Sequence, residues 1–498
     1  MASKGIRFPF VSKAALHLQD MSERFLKKNQ VIEIVIRDMA FGGVGIGKIP
    51  TPSGDFTVFV QNTIPGQFVE AQVVKAAKSY AECKLLHVLK ASPDETLVPY
   101  QAIPGAPYAT WPISLQLEAK KRTTLDLFRK IGKIEQIDSL LDEFITSPEI
   151  WHYRNKMEYS FSVIRFDEEK KEEVDDFALG FKHRGTWWCV ENLNKDSGMF
   201  DEESENNLAE LREWFIQTGL PAWHPPKRVG FFRFLVVRKS FHENRLLINL
   251  VTTDRMIDRF DVNEFVSKVR SLLGERIAGI IHTINNDEGD RVDPLNGSTN
   301  LIYGVPKIIE KINGLSFEIS MQSFFQTNPK SAERLYSKVL DYAGVEDIND
   351  GDVILDLFCG TGTIAQLMAK RSSRKVLGVD IVESAIRDAR ENAQRNDVSN
   401  VDFHAADVGK FLLEFPEYQG KINTLVLDPP RGGIAPKTLR KVISLGAQRM
   451  VYVSCNPSTQ ARDAEVLAES GYVLKTISLV DQFPHTAHIE SVALFEKI

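Results

Sequence analysis

The spacing of apolar positions changes three times along this chain, and each change marks a different kind of element. Between Val31 and Lys90, short β-rich runs at Ile32 to Ile36, Phe56 to Val60 and Phe68 to Val74 are separated by Gly42, Gly43, Gly45, Gly47 and the Pro65-Gly66 pair. That pattern predicts a small barrel of short strands, a shape that commonly binds RNA. Pro93 to Pro112 is proline-rich and reads as an extended connection. From Ser114 to about Lys133 the apolar residues take helical spacing, with Lys120, Lys121, Arg122, Arg129 and Lys130 read as a solvated face in preference to an RNA contact. Ile150 to about Asn313 reads as strands and loops with one helix near Glu203 to Thr218, and the charged run Asp167 to Asp176 as a solvated hairpin loop. From Ser320 onward strands alternate with helices, the pattern of a parallel, doubly wound sheet.

These changes predict a basic arm over 1–30, a barrel over 31–90, a central α+β region over 91–318 and an α/β domain over 319–498. The length of 498 residues with 43% apolar content supports several buried cores. A net charge of -6 gives no global nucleic-acid signature, so any RNA contact must rest on local basic surface. No run of about 18 uncharged apolar residues predicts a membrane helix. Cys83, Cys189, Cys359 and Cys455 lie far apart, which argues against a disulfide scaffold and for a reducing compartment, the cytoplasm. The first 30 residues carry Lys4, Arg7, Lys13, Arg24, Lys27 and Lys28 against Asp20 and Glu23, and read as a basic arm or an organellar transit peptide.

The last domain carries the chemistry. Val353 to Phe358 is a buried strand, Cys359-Gly360-Thr361-Gly362 a tight turn, and Thr363 begins a helix. Small residues at such a turn let backbone N–H groups approach a bound cofactor. Asp380 ends the next strand about 20 residues on, where an acid accepts hydrogen bonds from ribose hydroxyls. The short Asp-x-Phe-Cys-Gly-x-Gly form matches S-adenosylmethionine better than a dinucleotide, which needs a further glycine for its pyrophosphate. Asp407, after a third strand, is placed to meet the adenine amino group, and Asp428 ends a fourth. The other glycine cluster, Gly42 to Gly47, has neither the helix nor the downstream acid of a nucleotide site.

Asp428-Pro429-Pro430 followed by an aromatic would suit an amine-directed methyltransferase, but the fourth residue is Arg431, which donates rather than stacks. The next strand ends in Ser454-Cys455-Asn456-Pro457, and Glu490 follows near the C-terminus. An exocyclic amine needs no thiol. Uracil C5 is not nucleophilic until a nucleophile adds to C6, and it must later lose a proton to a base. Cys455 and Glu490 suit those two tasks. The plainer alternatives are a buried small hydrophobe for Cys455 and an edge charge for Glu490. A metal site from His485, His488 and Glu490 is disfavoured because transfer from a sulfonium needs no metal, and His488 is expected to share a strand face with Glu490 and orient it.

Phe324 to Asn328, Asp356 to Gly362, Leu427 to Arg431, Val453 to Pro457 and Phe483 to Glu490 together resemble the RNA uridine-C5 methyltransferases. The resemblance implies a Rossmann-like S-adenosylmethionine-dependent domain, an N-terminal OB-like TRAM barrel and a central RNA-binding domain, acting on transfer or ribosomal RNA as a monomer. It matches Cys455 to the nucleophile and Glu490 to the base, and places Gln326, Phe358, Gly360, Gly362, Thr363, Asp380, Asp407 and Asp428 at donor or substrate-pocket positions. Thr363 stands where the family often has asparagine. Members with a TRAM barrel often carry a cysteine-rich iron–sulfur site after it; Pro99 to Tyr108 has no cysteine, so no cluster is expected.

The target uridine is expected to be flipped into the pocket. Arg154, Lys156, Lys182, His183 and Arg184 are the candidate RNA contacts, and Phe181 to Trp188 reads equally as a stacking platform or a buried aromatic cluster. The rival functions are an amine-directed methyltransferase and a non-catalytic RNA-binding or RNA-folding protein.

Overall fold

A computed structural model describes residues 25–498 except 53, 347, 350 and 409, with the side chain of residue 412 also left aside. Most of the expected N-terminal arm, and with it the transit-peptide reading, therefore lies outside the described residues. Strands β1 (Val31–Ala40), β2 (Val44–Thr51), β3 (Gly54–Gln61), β4 (Phe68–Ala76) and β5 (Tyr80–Lys90) close into a barrel in the order β1-β2-β3-β5-β4. Alternate residues such as Ile34, Ile36, Val58, Val60, Val69 and Val73 fill it. Leu26 is buried in the same core and Phe25 lies 5.1 Å from Phe56, so the end of the expected arm docks on the barrel.

Helix α1 (Ile113–Lys130) and strand β6 (Leu141–Ile145) follow. The sequence pattern assigned both to the central region, but they are built into the α/β domain. Leu125 and Phe128 join its core, and β6 pairs in parallel with the edge of its sheet. The expected solvated face of α1 is also only partly solvated. Lys120 is 5% exposed and forms a 2.5 Å ion pair with Asp481, which is 1% exposed. Arg122 instead reaches Asp38 on the barrel at 2.6 Å. Helical periodicity alone does not say which polar residues find a partner inside.

The central sheet comprises β7 (Lys156–Asp167), β8 (Glu172–Lys182), β9 (Val190–Asn192), β10 (Phe232–Ser240), β11 (Arg245–Thr252), β12 (Ile277–Asn285) and β13 (Gly297–Gly304), in the order β13-β12-β11-β10-β7-β8-β9. The charged run turns between β7 and β8. The expected helix is two short ones, Glu202–Asn206 and Leu208–Gln217, and a further helix, Val262–Leu273, starts at an Asp261 cap that accepts from Asn263 and Glu264 N–H. The hairpin β14 (Lys307–Ile312) and β15 (Leu315–Ser320) bridges to the last domain, with Asn392 Oδ1 accepting the Glu318 N–H at 3.0 Å. The expected boundary at 318/319 thus falls inside a strand that already packs on the α/β domain.

The remaining strands are β16 (Val353–Leu357), β17 (Lys375–Asp380), β18 (Val401–Ala405), β19 (Ile422–Leu427), β20 (Arg449–Ser454), β21 (Tyr472–Val480) and β22 (Glu490–Lys497). With β6 they form an eight-stranded sheet ordered β18-β17-β16-β19-β20-β22-β21-β6. β16 through β20 are mutually parallel, and all five residues of β16 are buried, as expected for a strand covered on both faces. β22 runs antiparallel to both of its neighbours. Its first residue therefore lies beside the carboxyl ends of the parallel strands, where open α/β sheets bind their ligands. No helix among the described residues is long and apolar enough to cross a membrane.

Candidate active site

Phe358 follows directly on β16 and is in the left-handed region at φ 64, as are Gly360 at φ 54 and Gly362 at φ 75. A non-glycine residue in that region is held there by its surroundings, a feature that clusters at ligand sites. The Gly362 position cannot carry a side chain, because a Cβ there would lie 2.5 Å from the Phe403 ring. A Cβ at Gly360 would meet nothing within 4 Å, so this turn leaves open space above its backbone. Asp380 closes the turn from the side, its carboxylate accepting the Gly360 N–H at 3.0 Å and the Val382 N–H at 2.9 Å. Asp407 is exposed on the neighbouring strand end, brought close by the Ala406 N–H bonded to the Asp380 carbonyl at 2.9 Å. Thr363 is the first residue of the helix Thr363–Arg371 and is buried.

Deeper in the site, carboxylates crowd together. Asp356 is 0% exposed and neither of its oxygens has a close hydrogen-bond partner among the described residues. Burial and the neighbouring Asp428 push its pKa well above the ordinary carboxylate range. Asp428 is itself pushed up to about 7 by burial. Tyr336, held by the Gln326 side chain, feels the charges of Asp428, Glu490 and Asp356. Crowded, buried carboxylates beside an open glycine turn suit a cationic ligand with a ribose, so the residues present fit S-adenosylmethionine. The sequence reading includes Asp356 in the Asp-x-Phe-Cys-Gly-x-Gly motif without giving it a role, and does not single out Tyr336.

Cys455 follows directly on β20, and Asn456 caps the next helix, Pro457–Glu469, with Pro457 in its first turn. Asn456 Oδ1 accepts the Ser458 N–H, which explains the Asn-Pro pair as helix-start chemistry. Ser454 pairs with Ser491 across the antiparallel ladder, and the register extended by one step sets Cys455 opposite Glu490. Opposed residues of such a ladder point to the same face. Glu490 is 4% exposed; burial and then Asp428 raise its pKa well above normal, with Arg431 opposing. The Cys455 thiol is pushed up to about 11 by burial and by Glu490 and Asp428, again with Arg431 opposing. These four groups therefore sense one another, and the resting thiol is protonated.

His485 and His488 do not complete a metal site with Glu490. The His485 ring stacks on Trp151 at 3.8 Å and bonds Gln116 through Nδ1, while His488 is exposed and precedes β22. The expected strand face shared by His488 and Glu490 is absent for the same reason: the loop ends only at Glu490. Backbone register, not His488, directs the carboxylate.

Beside Arg431 opens a cavity of about 730 Å³ between the α/β domain and the central sheet. Arg154, Lys156, Phe181, Arg238 and Phe324 line it. Arg154 has no carboxylate partner among the described residues, Lys156 is paired with Glu158 at 2.9 Å, and Phe324 is 72% exposed. Arg238 is committed to the Ser320 and Ser323 carbonyls. Of the candidate RNA contacts only Arg154 and Lys156 face this cavity. Lys182 is paired with Asp290, His183 with Glu191 at 2.5 Å while stacked on Phe166, and Arg184 is half-buried. Phe181 faces the cavity, whereas Trp188 caps Glu173 and Trp187 is exposed.

A sequence model described as tRNA (Uracil-5-)-methyltransferase matches residues 308–498, and one for the TRAM domain matches residues 26–86. An uncharacterized RNA methyltransferase of Clostridium acetobutylicum is 37% identical over 485 residues, 95% of this chain and 99% of its own. Another, from Caldanaerobacter subterraneus subsp. tengcongensis, is 37% identical over 476 residues, 95% of this chain and all 100% of its own. Among solved structures, the Pyrococcus abyssi tRNA (uracil-54, C5)-methyltransferase in complex with S-adenosyl-L-homocysteine superposes with a TM-score of 0.66 at 25% identity, covering 93% of this chain and 100% of that one. With the donor fold, the barrel and relatives matched along nearly their whole length, the chain belongs to the TRAM-containing, S-adenosylmethionine-dependent RNA (uracil-5-)-methyltransferases.

Proposed function

We propose that this enzyme methylates C5 of a uridine in transfer or ribosomal RNA through a covalent adduct between Cys455 and C6, with Glu490 removing the C5 proton. The observation that carries the reading is the β20–β22 register, which sets a thiol and a buried carboxylate side by side at the sheet's carboxyl edge.

The donor is held by Gln326, Phe358, Gly360, Gly362, Thr363, Asp380, Asp407 and Asp428, and it supplies one electrophilic methyl group. Cys455, once its proton is lost to solvent, forms the Sγ–C6 bond, and the C5–C6 π electrons move toward O4 to give an enolate. Arg431, the one cation that lowers the thiol's pKa, favours the thiolate. After C5 has gained the methyl carbon it carries both that group and its original hydrogen. Glu490 accepts the hydrogen as a proton, the electrons of the C5–H bond restore the C5–C6 double bond, and the Sγ–C6 bond breaks to return the thiolate. A carboxylate with a raised pKa is a stronger base than a free one, which suits a weakly acidic C–H. Arg154 and Lys156 hold backbone phosphates near the flipped base, and Phe324 offers it a stacking face.

The test is transfer of labelled methyl into RNA extracted from cells in which the gene is deleted. Cys455→Ala abolishes product and Glu490→Gln accumulates a protein–RNA adduct. Labelled N-methyladenine, or full activity of Cys455→Ala, would replace this reading with an amine-directed enzyme. The position and RNA class follow from mapping the 5-methyluridine lost on deletion.

A further inference from the structure

Glu490 reaches the site by way of residues 481–489, a stretch with no helix or strand that is tied from outside at several points. Asn328 bonds Gln482 in both directions, Tyr153 donates to the Pro484 carbonyl at 2.9 Å, and two side chains of α1 hold Asp481, Phe483 and His485. Gln116, 1% exposed, accepts the His485 N–H on Oε1 at 2.9 Å, while its Nε2 lies 3.1 Å from His485 Nδ1 and donates to the Trp111 carbonyl at 2.6 Å. Lys120 donates to the Asp481 carboxylate at 2.5 Å and to the Phe483 carbonyl at 3.0 Å. Between these anchors His485 is kept at φ 64, and Trp151 stacks on its ring from the other domain. Neither Gln116 nor Lys120 lines the cavity.

Cys455 owes nothing to this arrangement. It is fixed by β20 and by the Asn456 helix cap, and β20 is tied to the following helix through Gln460, which donates to the Tyr452 carbonyl at 2.6 Å. Both groups share the β20–β22 ladder, but only Glu490 is also held from its other side, where β22 continues back into the 481–489 loop. We infer that Gln116 and Lys120 are positioning residues for the proton-removal step, acting through the 481–489 loop to aim Glu490, an inference that rests on Glu490 being the base. Loosening the loop leaves attack on C6 and methylation intact and slows only loss of the C5 proton and release of Cys455.

A purely structural role would depress every step together, so the two are separable. The measurement uses RNA extracted from gene-deleted cells with labelled donor, following both released methylated RNA and labelled protein–RNA adduct on denaturing gels. Gln116→Met keeps the side-chain length and removes all its hydrogen bonds. It should lower multiple turnover by about 10²-fold, the usual cost of a misplaced catalytic group, while labelled adduct forms at the wild-type rate and accumulates. Trp151→Leu, which removes the ring stacked on His485 and packed on Tyr100, gives the same pattern in weaker form and decides the matter if Gln116→Met does not fold. Adduct formation and turnover falling together, or turnover left unchanged, overturns the inference. Glu490→Gln run in parallel separates the two levels: if it accumulates no adduct, the base assignment falls and this inference with it, whereas adduct with Glu490→Gln but none with the loop variants overturns the inference alone.

Discussion

Cys455 and Glu490 stand opposite each other one step beyond the Ser454–Ser491 pair, at the end of an antiparallel ladder inside an otherwise parallel sheet. That ladder is also pinned laterally, since Ser491 Oγ donates to Gln460 Oε1 at 2.6 Å. A rigid pair of strands holds two groups more closely than loops can, and addition and elimination on one ring demand such placement.

Removing the base should cost about 10²- to 10⁴-fold in turnover, the range for a positioned general base. Glu490→Gln therefore shows slow release of methylated RNA while Cys455→Ala shows no covalent species at all. Rapid-quench assays with labelled donor measure both.

Donor binding should depend on pH through Asp428, whose pKa is raised to about 7. The cationic donor favours the ionised carboxylate, so affinity rises from pH 6 to pH 8. For stability the sign is opposite. A carboxyl raised on folding binds its proton more tightly in the native state, so its contribution is fully present below the unfolded pKa and is lost as pH rises through about 7. Without donor the melting temperature falls over that window, saturating donor restores more at pH 8 than at pH 6, and Asp428→Asn flattens both trends in calorimetry.

The barrel meets the catalytic loop at Gly43, and the cost of crowding that contact is measurable. Gly43 has φ 76, and a Cβ there would lie 2.7 Å from Ala487 Cβ and against the Tyr108 hydroxyl. Gly42 has φ 79 with nothing within 4 Å. Gly42→Ala should cost about 1–2 kcal/mol for the left-handed backbone alone. Gly43→Ala should cost more in urea unfolding and should also slow turnover.

Lys120→Met leaves Asp481 buried without its cation, which costs about 3–5 kcal/mol when one partner of such a pair is removed. The double change Lys120→Met with Asp481→Leu should recover most of that. Denaturant midpoints of the two single variants and the double variant decide it.

For RNA affinity, Arg154→Ala and Lys156→Ala should each weaken binding and reduce the salt slope by about 1, as expected when one phosphate contact is lost. Lys182→Ala should change neither, because Lys182 does not line the cavity. Filter binding across a salt series distinguishes them.

Much of this was legible in local sequence. Glycines at 360 and 362, an acid at a strand end at 380, and an Asn-Pro helix start after Cys455 each declare their own geometry, because turn conformation and capping depend on residues a few positions apart. The same holds for the barrel, whose apolar alternation needs no distant partner to be read. The 42–47 glycine cluster reads as lacking the helix and acid of a nucleotide site, but its packing role is not visible in the sequence. Gly43 is small because Tyr108 and Ala487 approach it, and nothing near it in the chain says so.

Tertiary structure decided what depends on pairing over long separations. The alternation of residues 490–497 marks a strand without giving its direction, and only insertion of β22 antiparallel beside β20 brings Glu490 to Cys455. The charges on α1 looked solvated because helical spacing is silent about a partner at Asp481. That Lys182 meets Asp290, more than 100 residues away, was likewise invisible in the basic run around it. The sequence by itself thus determined which chemical groups are present and how each local turn is shaped. The fold decided which of them meet, since burial and charge pairing are set by neighbours in space.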